Sequence, residues 1–525
     1  MPGDSRAHGA GCRAGEELGP DRLAQISTVP QKSLFSMSNE SARRFAMLFG
    51  TALALWIALF LVLPKDLPFA NDANSYLGGA AALSAGHGYR FEQYLNLPPI
   101  RMYPPGYSIW LSLFWKNGQP ISRNSYRLEI ANWLAAGAAL VGLAACLFIS
   151  ELPSWLGWTL LISFGTSVLF TQLTVWLFSD VLFTAGTCGV AFLVATYDSE
   201  RSDGRLALWW FCASLLIGAL CLLRLAAVAL AAGLGAFGLW NADLRRPLRM
   251  ACFVVPVSVA VWLLQATTLP AYAPPLNVFR FGGLFVYALG SAAIAMLYGS
   301  QRWMVTVFLS VPDRLHYSHA FQHASALAEP LAFILGLAVF AVPIFLGIRR
   351  GPRQQKDRMA LFIIGVYILE LVFWSRYDGG RLGMPIIPFV LTFLARGLPS
   401  KASRIAFFTV LAVNIPANAW LSYKLIRSQE KESVQTLAEL RQAASWINAS
   451  AGPTSRVAAG RDVPLSHLYE YLGRRMLANV DVDVDPAAQG NIPAEYIVTR
   501  APLESPIPRY QIKRRFGHWM VMAPN

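Results

Sequence analysis

The chain has 525 residues, 55% of them apolar and only 14% charged, with a formal net charge of +14. Several apolar runs exceed the length that separates a bilayer span from a buried core helix, which excludes a soluble globular protein. Most of the positive charge sits in short Arg-rich turns between those runs, where it sets orientation and does not point to nucleic acid.

The first forty residues are rich in Gly, Ser, Arg and Pro without periodicity, and they lack the apolar core and cleavage site of a signal peptide. Residues 1–42 are expected to be a disordered cytoplasmic tail, or a start placed too far upstream. Apolar runs read against basic flanks predict spans near 45–63, 127–150, 155–173, 179–197, 207–222, 225–240, 251–268, 330–348, 359–374, 382–397 and 405–422, about eleven crossings. Arg43 and Arg44 put the N-terminus in the cytoplasm. Later cytoplasmic turns carry Arg201 and Arg205; Arg245, Arg246 and Arg249; Arg349 to Arg358; and Arg396 to Arg404. The run from Leu206 to Trp240 has the length of one tilted helix, but basic turns at both of its ends call for two passes.

On this reading loops 64–126 and 269–329 lie outside, as does everything after about residue 424. The expected fold is an all-α polytopic membrane domain over 43–423 with a small extracytoplasmic α/β domain over 424–525. In the first loop, Asp72–Ala85 reads as a helix ended by Gly86 and Gly88, with Asp72, Tyr76 and Ala80 along one face. Pro98 to Tyr107 is too rich in proline for a helix and reads as an extended surface segment. Segment 282–298 suits a re-entrant or interfacial helix. The C-terminal part opens with an amphipathic helix (Val434, Leu437, Leu440, Ala444, Ile447) and continues in strand-like runs at Arg456–Ala459, Glu495–Thr499 and His518–Met522. Five of the six cysteines fall in or beside apolar spans, so no loop offers a disulfide pair.

Two carboxylates recur at the outer ends of spans. Asp72 and Asp180 each suit a helix cap, yet acidic groups so close to hydrocarbon usually face a watery or protein-lined cavity, where they can take a proton from a hydroxyl or hold a divalent cation. Arg224, Arg376 and Arg381 lie at the same depth. They can snorkel to headgroups, or clamp a lipid-linked phosphate with their planar forks. Glu370, within the ninth span, is expected to pair with one of them. His316, His319 and His323 read as surface histidines more readily than as a metal trio, and Trp110, Trp115, Trp155, Trp158 and Trp176 as an interfacial belt.

The pattern resembles the C-type glycosyltransferase superfamily, in particular bacterial relatives of the protein O-mannosyltransferases and lipid A aminoarabinose transferases. The resemblance rests on Asp72 with Tyr76 and Ala80, on Gly86-His87-Gly88-Tyr89 and Tyr103-Pro104-Pro105-Gly106-Tyr107, on Ser179-Asp180-Val181-Leu182-Phe183, and on Arg381 before Pro385 and Pro388. It implies transfer of a sugar from a polyprenyl-phosphate carrier to a lipid, polysaccharide or protein acceptor at the outer face of a bacterial cytoplasmic membrane. On that resemblance Asp72 is general base or acceptor-orienting group, Asp180 supports the acceptor or a divalent cation (Mg or Mn), and Arg381 holds the leaving phosphate. Tyr76, Tyr103, Arg224 and Arg376 complete the substrate site. Many family members have adjacent acidic residues in the first loop, whereas Asn71 and Ala73 flank Asp72 here. The alternative from another class is a transporter or flippase for a lipid-linked or amphipathic anion, using the same side chains without chemistry. Transporters, however, tend to place polar groups at the midplane of repeated halves.

Overall fold

A computed structural model of the chain describes residues 38–64, 69, 72–150, 152–267, 337–352, 354–373, 379–452, 454–460, 462–478, 494–500, 507 and 509–524. Arg376, the three histidines of the second long loop and segment 282–298 lie outside the described residues. The chain separates into two compact units, Met1–Phe45 and Ala46–Asn525, and the second holds everything that positions the site.

Apolar sequence becomes helix almost throughout, because a helix satisfies its own backbone where no water can. In chain order come α1 (Asn39–Val62), α2 (Asp72–Ser84), α3 (Gly106–Ser112), α4 (Ile121–Ile149), α5 (Ser154–Gly165), α6 (Val168–Val175), α7 (Ser179–Ala195), α8 (Asp203–Leu223), α9 (Ala227–Trp240) and α10 (Pro247–Thr267). After the second long loop follow α11 (Val342–Arg349), α12 (Gln355–Phe373), a 3₁₀ turn at Gly379–Ile386, α13 (Ile387–Gly397) and α14 (Lys401–Ser450). Among the described residues, α1, α4, α8, α10 and α14 are each long and apolar enough to cross a membrane, and α5 and α6, bent by 47° at their junction, meet the same test together, as a broken span or a re-entrant pair would. The bend has a local cause: Ser167 leaves helical geometry and its side chain accepts from the Phe170 N–H at 3.2 Å, capping a new helix. Among the other apolar segments, α7 and α9 are shorter helices; α7 packs on α4 and α8, and α9 on α8 and α12.

The run from Leu206 to Trp240 is two helices. Arg224 stands in extended backbone between α8 and α9, which pack against each other. The final span and the amphipathic segment expected after it are one 50-residue helix, α14, with Pro416 inside it. The segment expected to stay extended through Tyr107 instead starts α3 at Gly106. Prolines tolerated at a helix start end the extended stretch there.

Beyond the bundle, β1 (Val457–Ala459), β2 (Tyr496–Arg500), β3 (Tyr510–Phe516) and β4 (Trp519–Pro524) form a sheet of order β1-β2-β4-β3. β1 pairs with β2 in parallel and the other pairings are antiparallel. Leu440, Ala444 and Ile447 of α14 and Leu465 and Leu468 of α15 (Leu465–Tyr471) cover its inner face. This domain is laced to the first loop. The Asn74 amide donates to the Val463 carbonyl at 2.9 Å and its oxygen accepts from the Leu465 N–H at 3.1 Å. Gln93 Nε2 donates to Ser466 Oγ at 2.9 Å, and the backbones at Gln93–Leu95 and Leu477 exchange two bonds of 2.8 Å. α2 is thus tied to this domain at its first turn through Asn74, and ends where Gly86 and Gly88 take φ of 79° and 77°.

At the opposite end of the bundle, several arginines of the expected cytoplasmic turns are built into buried networks. Arg396 grips Asp357 through two bonds of 2.8 and 3.1 Å, and Arg249 bridges Asp203 and Asp243 at 2.7 and 3.0 Å. Tyr197 donates to Asp243 in the same cluster. These contacts join the α7–α8 turn to the α9–α10 turn, and the start of α12 to the end of α13.

Candidate active site

Asp72 heads α2, but both of its oxygens are engaged by other elements. The Tyr103 hydroxyl donates to Oδ1 at 2.5 Å, and both terminal nitrogens of Arg381 stand 3.5 Å from Oδ2. Arg381 comes from the 3₁₀ turn before α13, and its guanidinium lies over the Phe178 ring at 5.2 Å. The contacts found among the described residues are thus tertiary, and go beyond those of a simple helix cap.

Asp180 lies in the first turn of α7, only 2% exposed, and forms an ion pair with Arg224. Arg224 reaches it because α8 stops one residue earlier. The two ion pairs are joined by Tyr76, one turn along α2 from Asp72, whose hydroxyl lies 3.3 Å from Ser179 Oγ. The Tyr76 ring packs against Tyr103 at 5.1 Å and edge-on to Tyr107 at 4.8 Å. Burial first, and then the charge of Asp72, raises the Tyr76 hydroxyl above its ordinary pKa, so it serves as a donor and not as a base. Tyr107 is anchored in turn through Asn132 at 3.0 Å, and the Asn132 amide donates to the last carbonyls of α6.

One close approach holds this layout. A Cβ on Gly106 would lie 2.5 Å from the Leu222 carbonyl oxygen and 2.7 Å from its carbon, so only glycine lets the start of α3 press on the end of α8, two residues before Arg224.

The structure thus brings together Asp72, Tyr76, Tyr103, Asp180, Arg224 and Arg381, six of the seven residues singled out from sequence, while Arg376 lies outside the described residues. Arg224 contacts Asp180 and Arg381 contacts Asp72; Glu370 makes no salt bridge at contact distance among the described residues, but the charge of Arg224, one of the expected partners, acts on it. Ser179 stands in a motif marked in the sequence, but sequence reading did not find Phe178 and Asn132 as parts of the site, nor Asn74 as the link to the C-terminal domain. Asn74 and Val463 are 389 positions apart, and nothing local marks the pair. Among the described residues no group of three or more His, Cys, Asp or Glu could hold a metal ion. Each carboxylate here already faces a guanidinium, which does not suit a divalent cation.

No protein-family model matches the sequence, and no curated protein matches it either. Solved structures do. ArnT from Cupriavidus metallidurans bound to undecaprenyl phosphate superposes with a TM-score of 0.51 at 15% identity, over 91% of this chain and 98% of that one. The apo state of the same protein gives 0.51 at 13%, over 92% and 98%. The Archaeoglobus fulgidus oligosaccharyltransferase in complex with zinc and sulfate gives 0.52 at 14%, over 86% and 68%. The fold is that of the C-type glycosyltransferases. The ArnT superposition runs over nearly the whole of both chains.

Proposed function

We propose that the chain is an integral membrane glycosyltransferase that moves a sugar from a polyprenyl-phosphate carrier to an acceptor at the outer face of the cytoplasmic membrane. The observation that carries this reading is the cluster itself: two carboxylates and two guanidiniums, joined through Tyr76, at one end of a bundle with this fold. In the reaction, the acceptor oxygen bonds to the anomeric carbon as the bond from that carbon to the phosphate oxygen breaks. The electron pair leaves with the phosphate and the acceptor proton passes to Asp72. Arg381 is placed to receive the phosphate, since its fork already spans an anionic oxygen pairwise and its cationic charge stabilises the leaving group. Tyr103 orients Asp72 through its hydrogen bond. Asp180 fixes Arg224, which adds to the positive potential over the phosphate. No step runs through a metal ion.

Purified chain in proteoliposomes, supplied with synthetic polyprenyl-phosphate sugars, tests the proposal. Wild-type protein is expected to consume a donor, and Asp72→Asn to lose roughly 10²–10⁴-fold in rate while remaining folded. Movement of intact donor between leaflets, with no bond broken, would instead support a flippase.

A further inference from the structure

We infer that the cavity between the first loop and the C-terminal domain is a binding site for a short, uncharged carbohydrate chain. The cavity has a volume of about 330 Å³ and lies at the far end of α2 from Asp72. That is within the roughly 300–1,000 Å³ of small-ligand sites. Ala81 of α2 is on its wall, nine residues from Asp72, a separation of about 14 Å along the helix. Trp115 and Tyr469 supply aromatic surface, and Glu92, Gln119, Glu470 and Arg474 supply polar groups.

Their hydrogen-bonding capacity is only partly used. Glu92 gives one oxygen to His87 at 2.9 Å, and Glu470 gives one to the Ile121 N–H at 2.5 Å. Among the described residues the second oxygen of each has no hydrogen-bond partner. Gln119 accepts from Arg123 at 3.1 Å, which leaves its amide N–H groups to spend. The Tyr469 hydroxyl and the Arg474 guanidinium make no hydrogen bond or salt bridge among the described residues, although the charges of Glu92 and Arg474 both act on Tyr469.

A wall of mixed donors and acceptors beside aromatic faces matches a sugar, whose hydroxyls both donate and accept and whose C–H faces pack on rings. Two carboxylates against one guanidinium disfavour an anionic ligand. No sheet strand lines the cavity, so an extended peptide would find no backbone ladder to join. That the bound chain belongs to the acceptor rests on the glycosyltransferase reading; that it binds does not.

The test uses the full chain in nanodiscs, with saturation-transfer NMR and calorimetry against maltotriose, mannotriose, triacetylchitotriose and an unglycosylated Ser/Thr-rich peptide. At least one trisaccharide is expected to bind, roughly tenfold or more weakly in Trp115→Ala and in Gln119→Ala, and unchanged in Asp72→Asn. Gln119 is on a loop, so its variant carries the test should Trp115→Ala fail to fold. Binding of none of the sugars, sugar binding lost in Asp72→Asn but kept in both cavity variants, or cavity-dependent binding of the peptide alone overturns the assignment. Sugar binding by a wild-type protein that performs no transfer would sink the enzymatic reading and leave this site standing.

Discussion

Arg224 and Arg381 face carboxylates in different ways, and the difference predicts different phenotypes. Asp180 is almost fully buried, so removing Arg224 strands a carboxylate in an apolar setting, at a cost of about 3–5 kcal/mol. Arg224→Ala is therefore expected to lower the thermal midpoint in nanodiscs sharply, and Arg224→Ala/Asp180→Ala to recover much of it. Equal midpoints for the single variant and wild type would show that the pair carries no such load. The Asp72–Arg381 contact is looser, at 3.5 Å, and suits exchange with a ligand. Tyr103→Phe removes a 2.5 Å hydrogen bond to Asp72. It should cost no more than about 1.5 kcal/mol in stability while lowering the transfer rate about tenfold, as read by donor-consumption kinetics. At this scale the residue types were legible and their partners were not. Asp72 and Asp180 stand out because charge is rare near hydrocarbon. Which arginine serves which carboxylate depends on where α8 stops and where the 3₁₀ turn before α13 falls.

Among the elements, α3 holds the end of α8, and with it Arg224, in place. Gly106→Ala would push α3 off the end of α8 and displace Arg224, so transfer should fall although no polar group is lost. Wild-type turnover in that variant would mean the backbones part without consequence. At the far end of the sheet, Glu439 of α14 accepts from the His518 N–H at 2.8 Å and meets its ring at 2.9 Å. Burial alone would raise this carboxyl, but the hydrogen bonds from the His518 backbone, Gln435 and the His518 ring outweigh it and hold the pKa below its usual value. A depressed carboxyl stabilises the fold above its ordinary range, and the gain fades as pH falls through the lowered value. Protection factors for hydrogen exchange in β3 and β4, corrected for the intrinsic pH dependence of exchange, should accordingly fall on acidification, and Glu439→Gln should flatten that dependence. The helices were readable because hydropathy and basic turns repeat on the scale of a bilayer. Three of the four strands were also anticipated, whereas β3, Tyr-Gln-Ile-Lys-Arg-Arg-Phe, was not, since it is an edge strand whose exposed basic residues hide any alternation.

For the whole molecule, the connectivity gathers Asp72, Asp180, Arg224 and Arg381 at one end of the bundle, and buried Arg–Asp networks tie the other. The proposed chemistry needs the first end to face outward, where a polyprenyl-linked sugar and its acceptor meet. Cysteine accessibility in intact cells tests this most directly. In a background lacking the six native cysteines, Asn117→Cys reports on the exposed first loop that carries Asp72 and Tyr103, and Glu200→Cys on the exposed turn between α7 and α8 at the other end. A membrane-impermeant maleimide is expected to label position 117 in intact cells and position 200 only after lysis. Labelling of position 200 from outside, with position 117 protected until lysis, would put the carboxylates on the cytosolic side and contradict the account.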